Sequence, residues 1–164
     1  MGIFDKLFGK KSSDITLGAP VAGEAVPLNQ VSDPTFGEEI LGKGVAIKPT
    51  GNRVVAPCDA TVDLMFDTGH AVSLKADCGA EVLIHVGLET VSLKGEHFTT
   101  HAKTGDHVTA GQLLIEFDRE AVAAAGFDTI TPMVICNTAD YKGVNAQTGA
   151  AVAEGDTVLT LVKE

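Results

Sequence analysis

His70-Ala71-Val72-Ser73-Leu74-Lys75-Ala76-Asp77-Cys78-Gly79-Ala80-Glu81-Val82-Leu83-Ile84-His85 reads as two short strands joined by a tight turn. Val72 and Leu74 follow His70 with period two, Glu81 to Val86 is a nearly continuous apolar run, and Asp77-Cys78-Gly79 is a turn signal. If Asp77 and Cys78 alone form the loop, His70 stands directly opposite His85. Val72 then faces Leu83 on the same side, and the pairs Ala71–Ile84 and Ser73–Val82 take the other. Cross-strand neighbours have Cβ atoms about 5 Å apart, close enough for two imidazoles to touch. Gly79 also supports a bulged loop slipped by one residue, and that slip sends the histidines to opposite faces.

The same texture extends outward from this hairpin. Val62, Leu64 and Phe66 alternate with Thr61, Asp63 and Met65, and turn signals fall at Pro49–Asn52 and Thr104–Asp106. Only Asp118 to Gly126, with its run of alanines and Gly126 as terminator, predicts a helix, and a short one. With 18 glycines, 6 prolines, 5% aromatic residues and no Trp, a helical bundle is disfavoured. Ala19-Pro20-Val21-Ala22-Gly23 echoes Ala56-Pro57-Cys58-Asp59-Ala60, and Gly105-Asp106-His107-Val108 echoes Gly155-Asp156-Thr157-Val158. Two copies are too few for a solenoid but suit a duplicated strand motif. The expected fold is all-β: an antiparallel β-sandwich or flattened barrel with at most one or two short helices.

A chain of 164 residues, 45% of them apolar, is the size of one domain. Residues 15–164 form that domain in this reading. Residues 1–14 stand apart: Ile3, Phe4, Leu7 and Phe8 fall on one helix face, beside Lys6, Lys10 and Lys11. The segment has neither a secretory h-region nor the Ser or Thr of a myristoylation signal at position 6. It reads as an amphipathic tail suited to an anionic membrane surface. No apolar run approaches the roughly 18 residues of a membrane span, which predicts a cytoplasmic protein with peripheral membrane association at most.

The net charge of −10 repels phosphate backbones and argues against a nucleic-acid binder. Cys58, Cys78 and Cys136 are odd in number, widely spaced and lack a CxxC pair, so they read as small buried apolar residues of a reduced protein. Gly37 to Gly44 runs as GxxxxGK, yet Gly44 replaces the magnesium-binding hydroxyl, and a turn before a strand near Val45 fits better. His97 and His101 sit among loop residues, and His107 has no evident partner. His70 and His85 differ: two adjacent imidazoles among apolar neighbours cannot both be protonated comfortably, so at least one stays neutral near pH 7. A neutral ring nitrogen is a nucleophile or a metal ligand.

The run Gly79-Ala80-Glu81-Val82-Leu83-Ile84-His85-Val86-Gly87-Leu88-Glu89-Thr90-Val91 resembles the phosphorylation-site signature of the glucose-family enzyme IIA proteins of the bacterial sugar phosphotransferase system. Gly44–Pro49, Val55-Ala56-Pro57, His70–Ser73 and Thr131–Val134 resemble that family in the same order. The resemblance implies a phosphocarrier and phosphoprotein in which His85 accepts the phosphoryl group on Nε2, His70 helps hold it and Thr68 orients His70. It implies an apolar docking ring of Phe36, Ile40, Leu41, Phe66, Val72, Leu83 and Val91, with Asp33 and Glu89 as acidic contacts. Gly69 and Val72 stand where the family commonly has Asn and Phe, and Ala60 where it has Gly.

The implied partners are HPr, which donates the phosphoryl group, and the enzyme IIB or IIBC of glucose-type permeases, whose cysteine receives it. Carbon catabolite repression through non-phosphotransferase permeases, glycerol kinase and adenylate cyclase is implied as well. No cofactor is required, although His70 and His85 beside a partner carboxylate could bind zinc in a complex. The competing enzyme class is a zinc-dependent hydrolase on a related β-sandwich; it needs three protein ligands, and Gly87 stands where a second histidine would be expected. A biotin or lipoyl carrier would need a Met-Lys-Met turn, which the chain lacks.

Overall fold

The computed structural model describes residues 14–163. The amphipathic tail expected over residues 1–14 lies, apart from Asp14, outside the described residues. Three antiparallel sheets carry the fold. The eight-stranded sheet runs in the order β13 (Ala150–Val152), β2 (Gly23–Val26), β3 (Lys43–Pro49), β11 (Thr131–Ile135), β7 (Glu81–His85), β6 (Ala71–Ala76), β5 (Ala60–Met65) and β9 (His107–Val108). The others are β1 (Ile15–Gly18), β14 (Thr157–Val162), β12 (Gly143–Ala146), and β4 (Arg53–Val55), β10 (Leu113–Phe117), β8 (Phe98–Thr100). The sheets do not close on one another, so the architecture is the sandwich rather than the flattened barrel.

The Ala-Pro echo is a repeated structure, whereas the Gly105-Asp106 copy of the Gly-Asp echo exchanges its backbone bonds with Val62 instead. Ala19 N–H donates to Asp156 O while Gly155 N–H donates to Ala19 O, and Ala56 makes the same exchange with Gln112 and Gly111. The two copies also bind each other reciprocally, Gly18 N–H to Pro57 O (3.0 Å) and Val55 N–H to Pro20 O (2.7 Å). Each Gly-Asp turn is closed alike: Asp106 Oδ2 accepts from Lys103 N–H, and Asp156 Oδ2 from Ala153 N–H. A duplicated short motif thus buries its backbone polar groups against its own copy.

The inner face of the large sheet is the main core. Val72, Leu74, Val82, Ile84 and Val86 of the central hairpin join Leu17, Ile47, Leu114, Ile115, Met133, Leu159 and Leu161 there, all at most 2% exposed. Each such side chain contributes roughly 1.5–3 kcal/mol of transfer free energy. A second, smaller cluster covers part of the outer face: Val26, Leu28, Val31 and Phe36 lie on Ala46, Val134 and Leu88, with Leu83 at its edge. Its cover contains α1 (Pro34–Gly37), which starts where Asp33 caps Thr35 N–H (3.0 Å) and Pro34 sets the first turn. The expected helix appears as α2 (Arg119–Ala124), capped by Asp118 and followed by Gly126 at φ +98. Short 3-10 turns at Leu28–Gln30, Thr90–Leu93 and Thr138–Asp140, together with α1, were not expected.

Two strand readings change. Gly79 takes φ +102 and donates to Ala76 O, making Asp77-Cys78-Gly79 a three-residue loop with a glycine bulge. The register therefore slips by one from the two-residue loop: Ala71 pairs with His85, Val72 with Ile84, Ser73 with Leu83 and Leu74 with Val82. In β5 a bulge between Val62 and Leu64 interrupts the expected alternation. Met65 turns inward, and Leu64 turns outward to 46% exposure, in the cross-strand row of Ser73 and Leu83. Gly44 lies within β3, where a Cβ would come within 2.0 Å of Met133 O. The cysteines are not the buried residues expected, since Cys78 and Cys136 are exposed and Cys58 is half-buried.

Candidate functional site

With the slipped register, His70 and His85 should part, yet their ring centroids lie 5.0 Å apart at 78°. The cause is that His70 precedes β6 and escapes its alternation. The chain leaves β5, turns through Asp67 and Thr68, and reaches Gly69 at φ +71 before His70. Gly adopts this left-handed backbone without steric cost. His70 O then accepts from Val86 N–H at 2.6 Å, tying the bend to the end of β7. The outcome of the expected pairing holds, for a different reason: a turn, not strand register, carries His70 to His85.

The two rings sit in a row of four. Phe36 lies 5.2 Å from His85, and Phe66 lies 5.3 Å from His70 in an edge-on arrangement. Burial first, and the neighbouring His85 second, together lower the His70 pKa from 6.5 to about 4. Burial also lowers His85, against the opposing pull of the Gly87 carbonyl and the Asp33 charge. Both rings are thus held toward the neutral form. His85 Nδ1 lies 2.7 Å from Gly87 O. A carbonyl only accepts, so Nδ1 carries the proton and the neutral ring leaves its lone pair on Nε2. Thr68 Oγ1 contacts His70 Nδ1, which fixes that ring in turn.

Of the docking-ring residues, Phe36 and Phe66 touch the histidines and Leu83 borders Phe36's cluster. Ile40, Leu41 and Val91 are large exposed apolar side chains, at 67%, 38% and 52%. Val72 is corrected: it is 0% exposed on the inner face, where no partner reaches it. Leu64 is the outward residue of that neighbourhood, and nothing in the alternating pattern reveals the bulge that exposes it. Asp33 and Glu89 line a cavity of about 410 Å³ with Ser32, Leu88, Phe127 and Asp128. Sequence reasoning also missed the Gly87 carbonyl; its signal was the His-x-Gly spacing after β7.

His107 does have a partner, Asp77 Oδ2 at 3.1 Å, and His101 Nε2 lies 2.7 Å from Glu116 Oε1. Among the described residues no group of three or more His, Cys, Asp or Glu side chains is placed to hold a metal. The histidine pair supplies two of the three protein ligands that a catalytic zinc needs, so the zinc-hydrolase alternative has no support. No helix among the described residues is long and apolar enough to cross a membrane.

A sandwich presenting one oriented, neutral imidazole nitrogen beside a second histidine offers a ring nitrogen with the chemistry of a nucleophile. Comparison with known proteins places it further. Residues 15–141 match the family described as phosphoenolpyruvate-dependent sugar phosphotransferase system, EIIA 1, and the chain belongs to that family, whose members carry a phosphoryl group. The glucose-specific EIIA component of Haemophilus influenzae is 40% identical over 99% of this chain and 100% of its own. A β-glucoside-specific EIIBCA component of Dickeya chrysanthemi is 53% identical over 80% of this chain, which spans only 21% of that protein. The solved glucose permease IIA of Mycoplasma capricolum superposes with a TM-score of 0.85 and 32% identity, covering 98% of this chain and 99% of that one.

Proposed function

We propose that this chain accepts a phosphoryl group from phospho-HPr on His85 Nε2 and passes it to a cysteine of an enzyme IIB domain. The supporting observation is the His85 Nδ1–Gly87 O bond in a desolvated ring row, which leaves Nε2 as the free nucleophilic nitrogen. Nε2 attacks phosphorus in line; the donor's N–P bond breaks as the new one forms, and the donor imidazole leaves with the electron pair. Positive charge then develops on the His85 ring. Its Nδ1 keeps its proton, donated in a hydrogen bond to Gly87 O, and the Asp33 carboxylate favours the charged ring. Thr68 orients His70 so that its far nitrogen donates to a phosphoryl oxygen. Phe36, Phe66 and the exposed Ile40, Leu41 and Val91 form an apolar face that excludes water from a hydrolysable phosphohistidine.

Asp33 and Glu89 suit a basic carrier protein. The same face carries the regulatory reading, in which permeases, glycerol kinase or adenylate cyclase distinguish the bare face from the phosphorylated one. A dianionic group added to an apolar contact weakens any complex that leaves its charge unpaired. The fused EIIBCA relative supports an enzyme IIB partner, since its name joins the three components in one protein. Zinc is not required by this chemistry.

The test is labelling with phosphoenolpyruvate, enzyme I and HPr. An acid-labile, base-stable phosphate is expected on the wild type and none on His85→Gln. His70→Gln still accepts phosphate but transfers it slowly onward. Normal labelling of the His85→Gln variant would overturn the assignment.

A further inference from the structure

The geometry points to Thr90 as the positioning residue that sets the reactive nitrogen of His85. This rests on His85 as the phosphoryl acceptor. The Gly87 carbonyl that accepts the hydrogen bond from His85 Nδ1–H belongs to the peptide plane joining Gly87 and Leu88. On the opposite side of that plane Leu88 N–H donates to Asp128 O at 2.9 Å, so the carbonyl is aimed back at the histidine. The preceding plane, joining Val86 and Gly87, is held at its carbonyl by Thr90, whose Oγ1 donates to Val86 O at 2.6 Å. Its N-terminal neighbour is held as well, because Val86 N–H is bound to His70 O. Gly87 is thus clamped between two fixed planes at φ +79.

The clamp is tight and dry. Thr90 is 0% exposed, and a Cβ on Gly87 would come within 2.7 Å of its methyl and 2.9 Å of Asp128 O. Glu89, at φ 61, turns the chain back so that Thr90 reaches the carbonyl four residues earlier. Thr90 touches neither reacting atom. Its hydroxyl acts through the Val86 carbonyl and the Gly87 turn on the hydrogen bond that fixes the His85 tautomer. Removing the hydroxyl leaves a buried carbonyl without a partner, and the turn relaxes to find one. The Gly87 carbonyl then shifts, and His85 divides between its two tautomers, one of which has its proton on the nitrogen that must attack.

Two variants separate positioning from packing. Thr90→Val keeps the branched shape and removes the hydroxyl, whereas Thr90→Ser keeps the hydroxyl and removes the methyl. Nitrogen-15 NMR of the His85 ring in the full chain is expected to show an unprotonated Nε2 in the wild type and in Thr90→Ser. In Thr90→Val a second tautomer appears, and labelling from phospho-HPr slows by about tenfold, the loss expected for one buried hydrogen bond. His101, bound to Glu116, serves as the unaffected internal control. Wild-type tautomer and rate in Thr90→Val would overturn the inference. So would a Thr90→Ser variant as impaired as Thr90→Val, because that marks a packing role. If the wild type accepts no phosphate, the acceptor assignment fails while the tautomer measurement still decides the role of Thr90.

Discussion

Two histidine pairs in this molecule have opposite surroundings. His101 and His107 are exposed, and each has a carboxylate partner, Glu116 at 2.7 Å and Asp77 at 3.1 Å. Among the described residues His70 and His85 have no carboxylate in hydrogen-bond contact and are enclosed by Phe66, Phe36 and each other. An exposed ion pair of the first kind occupies the ring nitrogen that it binds and is worth little in stability. The second arrangement withdraws water, disfavours the imidazolium and leaves a ring nitrogen with nothing bound. The proposed reactivity of His85 rests on desolvation and backbone hydrogen bonding, with no charged side chain of the described residues in hydrogen-bond contact with the ring.

The strongest way to break this contrast is at the turn that orients His85. Gly87→Ala forces a side chain into a left-handed backbone with 2.7 Å and 2.9 Å approaches. It is expected to cost about 3 kcal/mol in urea unfolding and to slow labelling at least roughly tenfold. A direct conversion of one environment into the other comes next. Ala71, directly opposite His85 in the ladder and 1% exposed, becomes a carboxylate neighbour in Ala71→Asp. The His85 pKa should rise when followed by NMR, labelling at neutral pH should fall, and stability should drop by about 2 kcal/mol from burying the new charge.

A smaller effect follows from pH. His70 is lowered from 6.5 to about 4, so between those values the unfolded chain binds a proton that the folded chain does not. Stability is therefore expected to fall as pH drops from 6.5 toward 4, read as a lower urea midpoint, and His70→Gln should flatten that slope. The smallest effect belongs to the exposed pair. His101→Gln should change stability by about 0.5 kcal/mol or less and leave the labelling rate unchanged.

Both strands of the hairpin were legible because Val72, Leu74, Val82, Ile84 and Val86 carry the pattern of a sheet face over the core. The register was not, because it hinges on whether Gly79 adopts a positive φ, and the sequence accommodates both loops. The bulge at Val62–Leu64 erased a clean alternation, moving Met65 inward and Leu64 outward. Val72 was misplaced on the docking face because correspondence with a family position does not tell which side of a strand faces the core. The exposed Cys78 and Cys136 show that an apolar residue type does not fix burial when its place is a hairpin loop or the end of a strand.

The sequence alone determined the all-β class, the duplicated motif, the short helix after Asp118 and the signature around His85, because these rest on local periodicity, turn chemistry and a motif contiguous in the chain. Only the tertiary structure decided that His70 meets His85 through a bend at Gly69, that Phe36 packs on His85 from a separate segment, and that the Gly87 turn is held by Thr90 and Asp128. Those contacts join distant stretches or depend on single backbone angles, and their energies exist only once the sandwich has brought the stretches together.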